Sequence, residues 1–170
     1  MSAPSIPATL VKELREKTGA GVMDCKSALE EAGGDLERAV EILQQRGVAS
    51  AEKRMHRETS QGVIECYIHA GGRLGAMVEL NCETDFVART DDFKQLARDL
   101  AMQVVAYSPI SVSEEDLPEG AEGDPADLCL MSQPFVKDES RTIDELVKDV
   151  ISKTGENIRV RRFVRFELGQ

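Results

Sequence analysis

The chain has 170 residues, 41% of them hydrophobic and 31% charged, with a formal net charge of −10 at pH 7. That length suits one medium domain, or a small module joined to a second one with its own core, and the acidic balance argues against neutralising a phosphate backbone, which takes clustered Lys and Arg. No stretch approaches the ~20 apolar residues needed to span a bilayer, and Met1 to Ala8 lacks the basic start and apolar run of an export signal, so a cytoplasmic protein with a protein partner is expected.

Pro7 suits a helix start, and Leu10, Val11 and Leu14 follow at helical spacing until Thr18-Gly19-Ala20-Gly21 interrupts the pattern. A second helix is predicted from Val22 or Met23 to Ala32, with Cys25, Ala28, Leu29 and Ala32 inward and Gly33-Gly34 as its stop. Asp35 then offers a capping carboxylate, and Leu36, Ala39, Val40 and Leu43 form one apolar stripe that ends at Gly47. Three helices within residues 1–47 make a compact bundle, too small to bury much surface and better suited to docking than to catalysis. Residues 48–60 are polar and charged and read as a linker helix, with His56 among solvated charges.

The second unit, 61–170, opens with alternation. Ile64, Cys66 and Ile68 share one face of a strand, and Ala76, Val78, Leu80 and Cys82 share one face of the next. Bringing those two apolar faces together requires an odd loop of three or five residues around Gly71-Gly72, because a one-residue slip turns every side chain over. Thr90 can cap a long helix carrying Phe93, Leu96, Ala97, Leu100, Ala101, Val104 and Val105. The segment 108–135, acidic from Glu114 to Asp127 and marked by Pro109, Pro118, Pro125 and Pro134, reads as a long exposed excursion. Thr142 and Glu145 form a capping box for a helix with Ile143, Leu146, Val147, Val150 and Ile151 inward, ended by Gly155. A last strand, Ile158 to Leu168, completes an α+β fold: an antiparallel three-stranded sheet with helices on one face. Arg159, Arg161, Arg162 and Arg165 alternate through that strand and read as a solvated face.

Chemistry finds little purchase in this pattern. The four cysteines, Cys25, Cys66, Cys82 and Cys129, include no C-x-x-C pair, which favours reduced thiols over a zinc site or a disulfide framework. There are two histidines, and no phosphate-binding loop, nucleophile elbow or zinc-protease motif is present. The glycine turn at Thr18–Gly21 follows a helix rather than a strand and lacks the lysine of a phosphate loop. No enzyme activity, no cofactor and no bound metal are expected. One segment stands apart: in Thr84-Asp85-Phe86-Val87, leaving the second strand, an aromatic sits beside an acid. Two readings are open for it. Phe86 packs under the long helix while Thr84 or Asp85 caps a turn, or Phe86 is presented to a partner's pocket with a carboxylate beside it.

The run Leu10-Val11-Lys12-Glu13-Leu14-Arg15-Glu16-Lys17-Thr18-Gly19-Ala20-Gly21-Val22-Met23-Asp24-Cys25-Lys26 resembles the N-terminal signature of the elongation factor Ts family. Asn81-Cys82-Glu83-Thr84-Asp85-Phe86-Val87-Ala88-Arg89 resembles its second signature, and Gly155-Glu156-Asn157-Ile158 with Arg161-Arg162-Phe163 resembles its closing strand. The likeness is to short members, which carry one core module where long members carry two and a coiled-coil insertion. It implies that the bundle is ubiquitin-associated-like and docks on the nucleotide-binding domain of elongation factor Tu, with Arg15, Val22, Met23 and Lys26 at contact positions; Val22 stands where some members have methionine. It further implies that Thr84, Asp85, Phe86 and Val87 enter beside the Mg²⁺ site of that GTPase, displace the ion and promote GDP release.

Two rival readings remain at this level: an adaptor of ubiquitin-associated type without exchange activity, and a small hydrolase using Glu83 and Asp85. A homodimer through the core sheet is also expected. It would use a face bearing Tyr67, Met77 and Phe163, framed by Glu65, Glu79, Arg161 and Arg165, because an apolar centre with a charged rim is how interfaces are built. A two-fold operation can set the acids of one copy against the arginines of the other.

Overall fold

The computed structural model describes residues 6–169. Helix α1 (Ala8–Thr18) starts after Pro7, and α2 (Val22–Glu31) stops before the glycine pair. Helix α3 (Leu36–Glu52) begins where the Asp35 carboxylate accepts from the Arg38 N–H. The three enclose a small core of Leu14, Cys25, Ala28, Leu29 and Ala39, built largely from short side chains that let the helices approach closely.

Gly47 does not end α3. The helix runs on into the expected linker as far as Glu52 and lies against the helix α7 (Ile143–Thr154). A Cβ on Gly47 would stand 2.8 Å from Ser152 Oγ and 3.3 Å from Ser152 Cβ. A mid-helix glycine costs about 1 kcal/mol against alanine, and here it permits a helix crossing that a side chain would obstruct. Four residues later Ala51 is fully buried within the larger core. The stretch 48–60 is thus the end of α3 followed by turns, not a separate helix.

Strands β1 (Gln61–Ile68), β2 (Leu74–Cys82) and β5 (Ile158–Glu167) form one antiparallel sheet in the order β1-β2-β5. A four-residue helix α4 (Asp85–Ala88) follows β2, and the long helix α5 (Asp91–Tyr107), capped by Thr90, buries all seven predicted residues. The capping box of α7 forms as read from Thr142 and Glu145. The α+β architecture, with its three-stranded antiparallel sheet, is the one expected from the sequence.

The faces of the sheet are not as expected. Ile64 pairs with Glu79, Cys66 with Met77 and Ile68 with Gly75, so six residues rather than an odd number separate the last pair. The His69 N–H bonds the Leu74 carbonyl, leaving a tight turn in which Gly71 and Gly72 take φ of 90° and 66°. Because the turn fixes register, the inward set of β1 is Val63, Glu65 and Tyr67. A β-bulge then reverses the parity of β5: Leu80 faces Val160 and Glu79 faces Arg162, leaving Arg161 as the extra residue. Val160 and Phe163 therefore both point inward, while Arg162, Val164 and Phe166 point out. Tyr67 and Phe163, expected at an interface with Met77, pack against the core instead, and Met77 alone lies outside. The outer face carries Ile64, Cys66, Ile68, Met77, Val164 and Phe166, with Ile64 66% and Phe166 64% exposed.

The acidic excursion is anchored at both ends. Ser111 bridges to Cys129, and the Leu130 and Met131 N–H groups bond the carbonyls of Ser111 and Val112. A short helix α6 (Pro125–Leu128) and a two-stranded ribbon, β3 (Pro134–Phe135) with β4 (Asp138–Thr142), lead into α7. Gln103 of α5 is fully buried and holds this return: its amide donates to Gln133 and to the Pro134 carbonyl, and its oxygen accepts from the Val136 N–H at 2.8 Å.

Candidate functional site

The turn between β2 and α5 answers the question left open for Phe86. Thr84 caps α4, its hydroxyl accepting from the Val87 N–H at 3.4 Å. Val87 and Ala88 on that helix are buried, and the Val87 carbonyl accepts from the Thr90 hydroxyl at 2.8 Å. One turn of helix with two side chains sunk into the core leaves the others pointing outward. Phe86 is 78% exposed: it does not pack under α5. Asp85 beside it is held by Arg89 at 2.7 Å, an exposed i,i+4 pair that fixes the carboxylate more than it stabilises the fold. A large apolar ring displayed in water on a rigid mount is a poor choice for stability and a good one for recognition.

The mount is braced by the residues that lead into the neighbouring strand β5, whose Ile158 pairs with Cys82 at the end of β2. The Glu156 carboxylate accepts from both the Thr84 N–H, at 2.9 Å, and the Thr84 hydroxyl, at 2.6 Å. Glu83 accepts the Asn157 N–H at 2.6 Å. The Cys82 thiol donates to the Thr84 carbonyl at 3.1 Å; burial, and then the nearby Glu156 charge, push that thiol up to about 11, so it remains a neutral donor. Sequence reasoning began the closing strand at Ile158, named Glu156 and Asn157 only within the motif that resembles the family's closing strand, and missed their role. No local signal was available, since polar residues after a helix-ending glycine are ordinary for a turn and the partners of these two lie 72 or more positions back in the chain.

The four predicted residues of the bundle gather about the turn joining α1 to α2. Arg15 lies in the last turn of α1; Val22 and Met23 open α2, and Lys26 follows one turn later. All four are exposed, Met23 at 73%, and Lys26 is only loosely paired with Glu30 at 3.9 Å. The turn beneath them is fixed: the Thr18 hydroxyl donates to the Leu14 carbonyl, and the Ala20 N–H donates to the Thr18 hydroxyl.

Neither carboxylate of the rival hydrolase reading is free, since Asp85 pairs with Arg89 and Glu83 holds Asn157 and Arg57. Among the described residues no group of three His, Cys, Asp or Glu is placed to hold a metal. A polar cleft of about 800 Å³ opens between α3 and α7, away from Phe86, and three of its cations already have carboxylate partners: Lys148 with Asp144, Lys153 with Asp149, and Arg46 with Glu31.

The family model described as Elongation factor TS matches residues 25–123, a span containing the whole Phe86 turn. Elongation factor Ts of Carboxydothermus hydrogenoformans is 49% identical over 195 residues, covering 97% of this chain and 90% of that one. The protein of the same name from Coprothermobacter proteolyticus is 48% identical, covering 97% and 99%, and that of Thermotoga petrophila is 47% identical over 189 residues, covering 95% of each. Likeness at that level across nearly the full length joins the two sequence signatures, and the chain belongs to the elongation factor Ts family.

Proposed function

We propose that the chain is a guanine nucleotide exchange factor for elongation factor Tu, acting in the cytoplasm without catalytic groups of its own. The observation that carries this reading is Phe86, exposed on a braced single turn of helix with Asp85 beside it. A GTPase holds GDP largely through its phosphates and Mg²⁺, so a protein that prefers the empty form weakens nucleotide affinity by the same factor. Thr84, Asp85, Phe86 and Val87 supply the intruding element that displaces the ion, while Arg15, Val22, Met23 and Lys26 supply docking. Burying one Phe contributes about 1.5–3 kcal/mol, roughly tenfold to a hundredfold in affinity, so the bundle must carry part of the coupling. The test is release of labelled GDP from elongation factor Tu with catalytic amounts of the chain. Acceleration supports exchange; binding without acceleration would leave an adaptor, and no interaction would end both readings.

The chain also pairs with a second copy of itself through the outer face of the sheet. A contiguous apolar patch on a monomer calls for a cover, and this one spans all three strands from Ile64 to Phe166. Glu79 and Arg162 bond at 2.7 Å on the same face, so both signs of charge are present for a self-complementary contact.

A further inference from the structure

Three segments distant in sequence meet at Asn157. Its side chain is almost wholly buried, and its amide donates to the Met55 carbonyl at 3.1 Å and to the Arg57 carbonyl at 2.7 Å. Its backbone N–H donates to Glu83, which also pairs with Arg57 at 3.4 Å. The preceding residue, Glu156, holds Thr84. The chain leaving α3, whose Met55, His56 and Arg57 are exposed, is thereby fastened to the same turn that mounts Phe86. The buried Asn157 amide needs partners, but the Met55 and Arg57 carbonyls belong to a surface segment where water can satisfy them, so the bonds tie that segment down more than they serve it.

Resting on the exchange reading, we propose that Asn157 is a positioning residue: it fixes the exit of the helical bundle relative to the Phe86 turn, so that both engage one partner molecule together. Two contacts on one body bind cooperatively to the extent that their separation is fixed in advance, and a looser connection lowers the effective concentration of the second contact. The contacts of Gly47 with α7 and of Ala51 with the core hold α3 itself; Asn157 holds the chain that follows it.

The experiment measures KM and kcat for GDP release from elongation factor Tu with the full chain and its Asn157→Ala variant, beside their thermal melts. Asn157→Ala should raise KM for the GDP-loaded partner about tenfold with kcat within about twofold and melting lowered by only a few degrees, as loss of its buried hydrogen bonds requires. The decisive comparison is with Met23→Ala. If Asn157 acts by linking the two contacts, its substitution has little further effect once the bundle contact is weakened, so the double variant falls well short of the product of the single effects. Multiplicative effects, or an unchanged KM, would overturn the proposal. Asn157→Ser serves as the milder variant; should both substitutions prevent folding, Asn157 is a structural residue and the proposal fails. A wild-type chain that does not accelerate GDP release refutes the exchange reading itself, a different result from active wild type with an indifferent Asn157→Ala.

Discussion

Phe86→Ala separates display from packing because the structure assigns the two roles very different magnitudes. Phe86 is 78% exposed, so its truncation belongs with surface substitutions, which change stability by about 0.5 kcal/mol or less. In a chain of this length 1 kcal/mol moves the melting temperature by about 2–4 °C, giving an expected shift of about 1–2 °C. Phe93, one helix further on, is fully buried, and Phe93→Ala should cost about 3–5 kcal/mol, or roughly 6–20 °C. Exchange should rank the residues the other way. Loss of a ring that becomes buried only in the complex removes about 1.5–3 kcal/mol, so kcat/KM for release of fluorescent GDP from elongation factor Tu should fall about tenfold to a hundredfold, with Phe86→Leu in between. The reasoning fails if Phe86→Ala melts like Phe93→Ala, which would make Phe86 a packing residue, or if it releases GDP as fast as wild type.

Light scattering at micromolar concentration should give about twice 18.7 kDa, and Phe166→Glu should reduce it to the monomer without loss of fold; Phe163→Glu, placed against the core, should instead lower the melting temperature sharply. A monomeric wild type would refute the pairing. The folded-state value of Cys82 lies above the unfolded one, so its contribution to stability is complete below about 9 and is lost as pH rises towards and through about 11. Urea melts across that range should show a shallower alkaline decline in Cys82→Ala than in wild type; parallel declines would assign the loss to other groups.

The sequence by itself determined the elements whose signals are local. Thr90 and Thr142 cap helices because a hydroxyl satisfies amides within the next turn, and seven apolar residues at helical spacing specify the buried face of α5 whatever it meets. Strand β2 is equally plain, with small and apolar residues alternating against Met77, Glu79 and Asn81. The resemblance of two long motifs, each within one stretch of chain, pointed to the family for the same reason.

What tertiary structure decided was everything that depends on partners far along the chain. Strand β1 is apolar on both sides, Val63 and Tyr67 against Ile64, Cys66 and Ile68, so composition alone did not choose its face; the Gly71-Gly72 turn and pairing with β2 did. The bulge at Arg161 reversed the rest of β5 without any local mark, which moved Phe163 inward and Phe166 outward. Gly47 reads as a helix stop, and only the approach of Ser152, more than a hundred positions later, explains why the helix continues through it. Phe86 was ambiguous until the burial of its neighbours Val87 and Ala88 determined where the ring points. Asn157 gave no local sign of its role, since its bonds reach back to Met55, Arg57 and Glu83, and hydrogen bonds across such separations exist only once the sheet has brought those segments together.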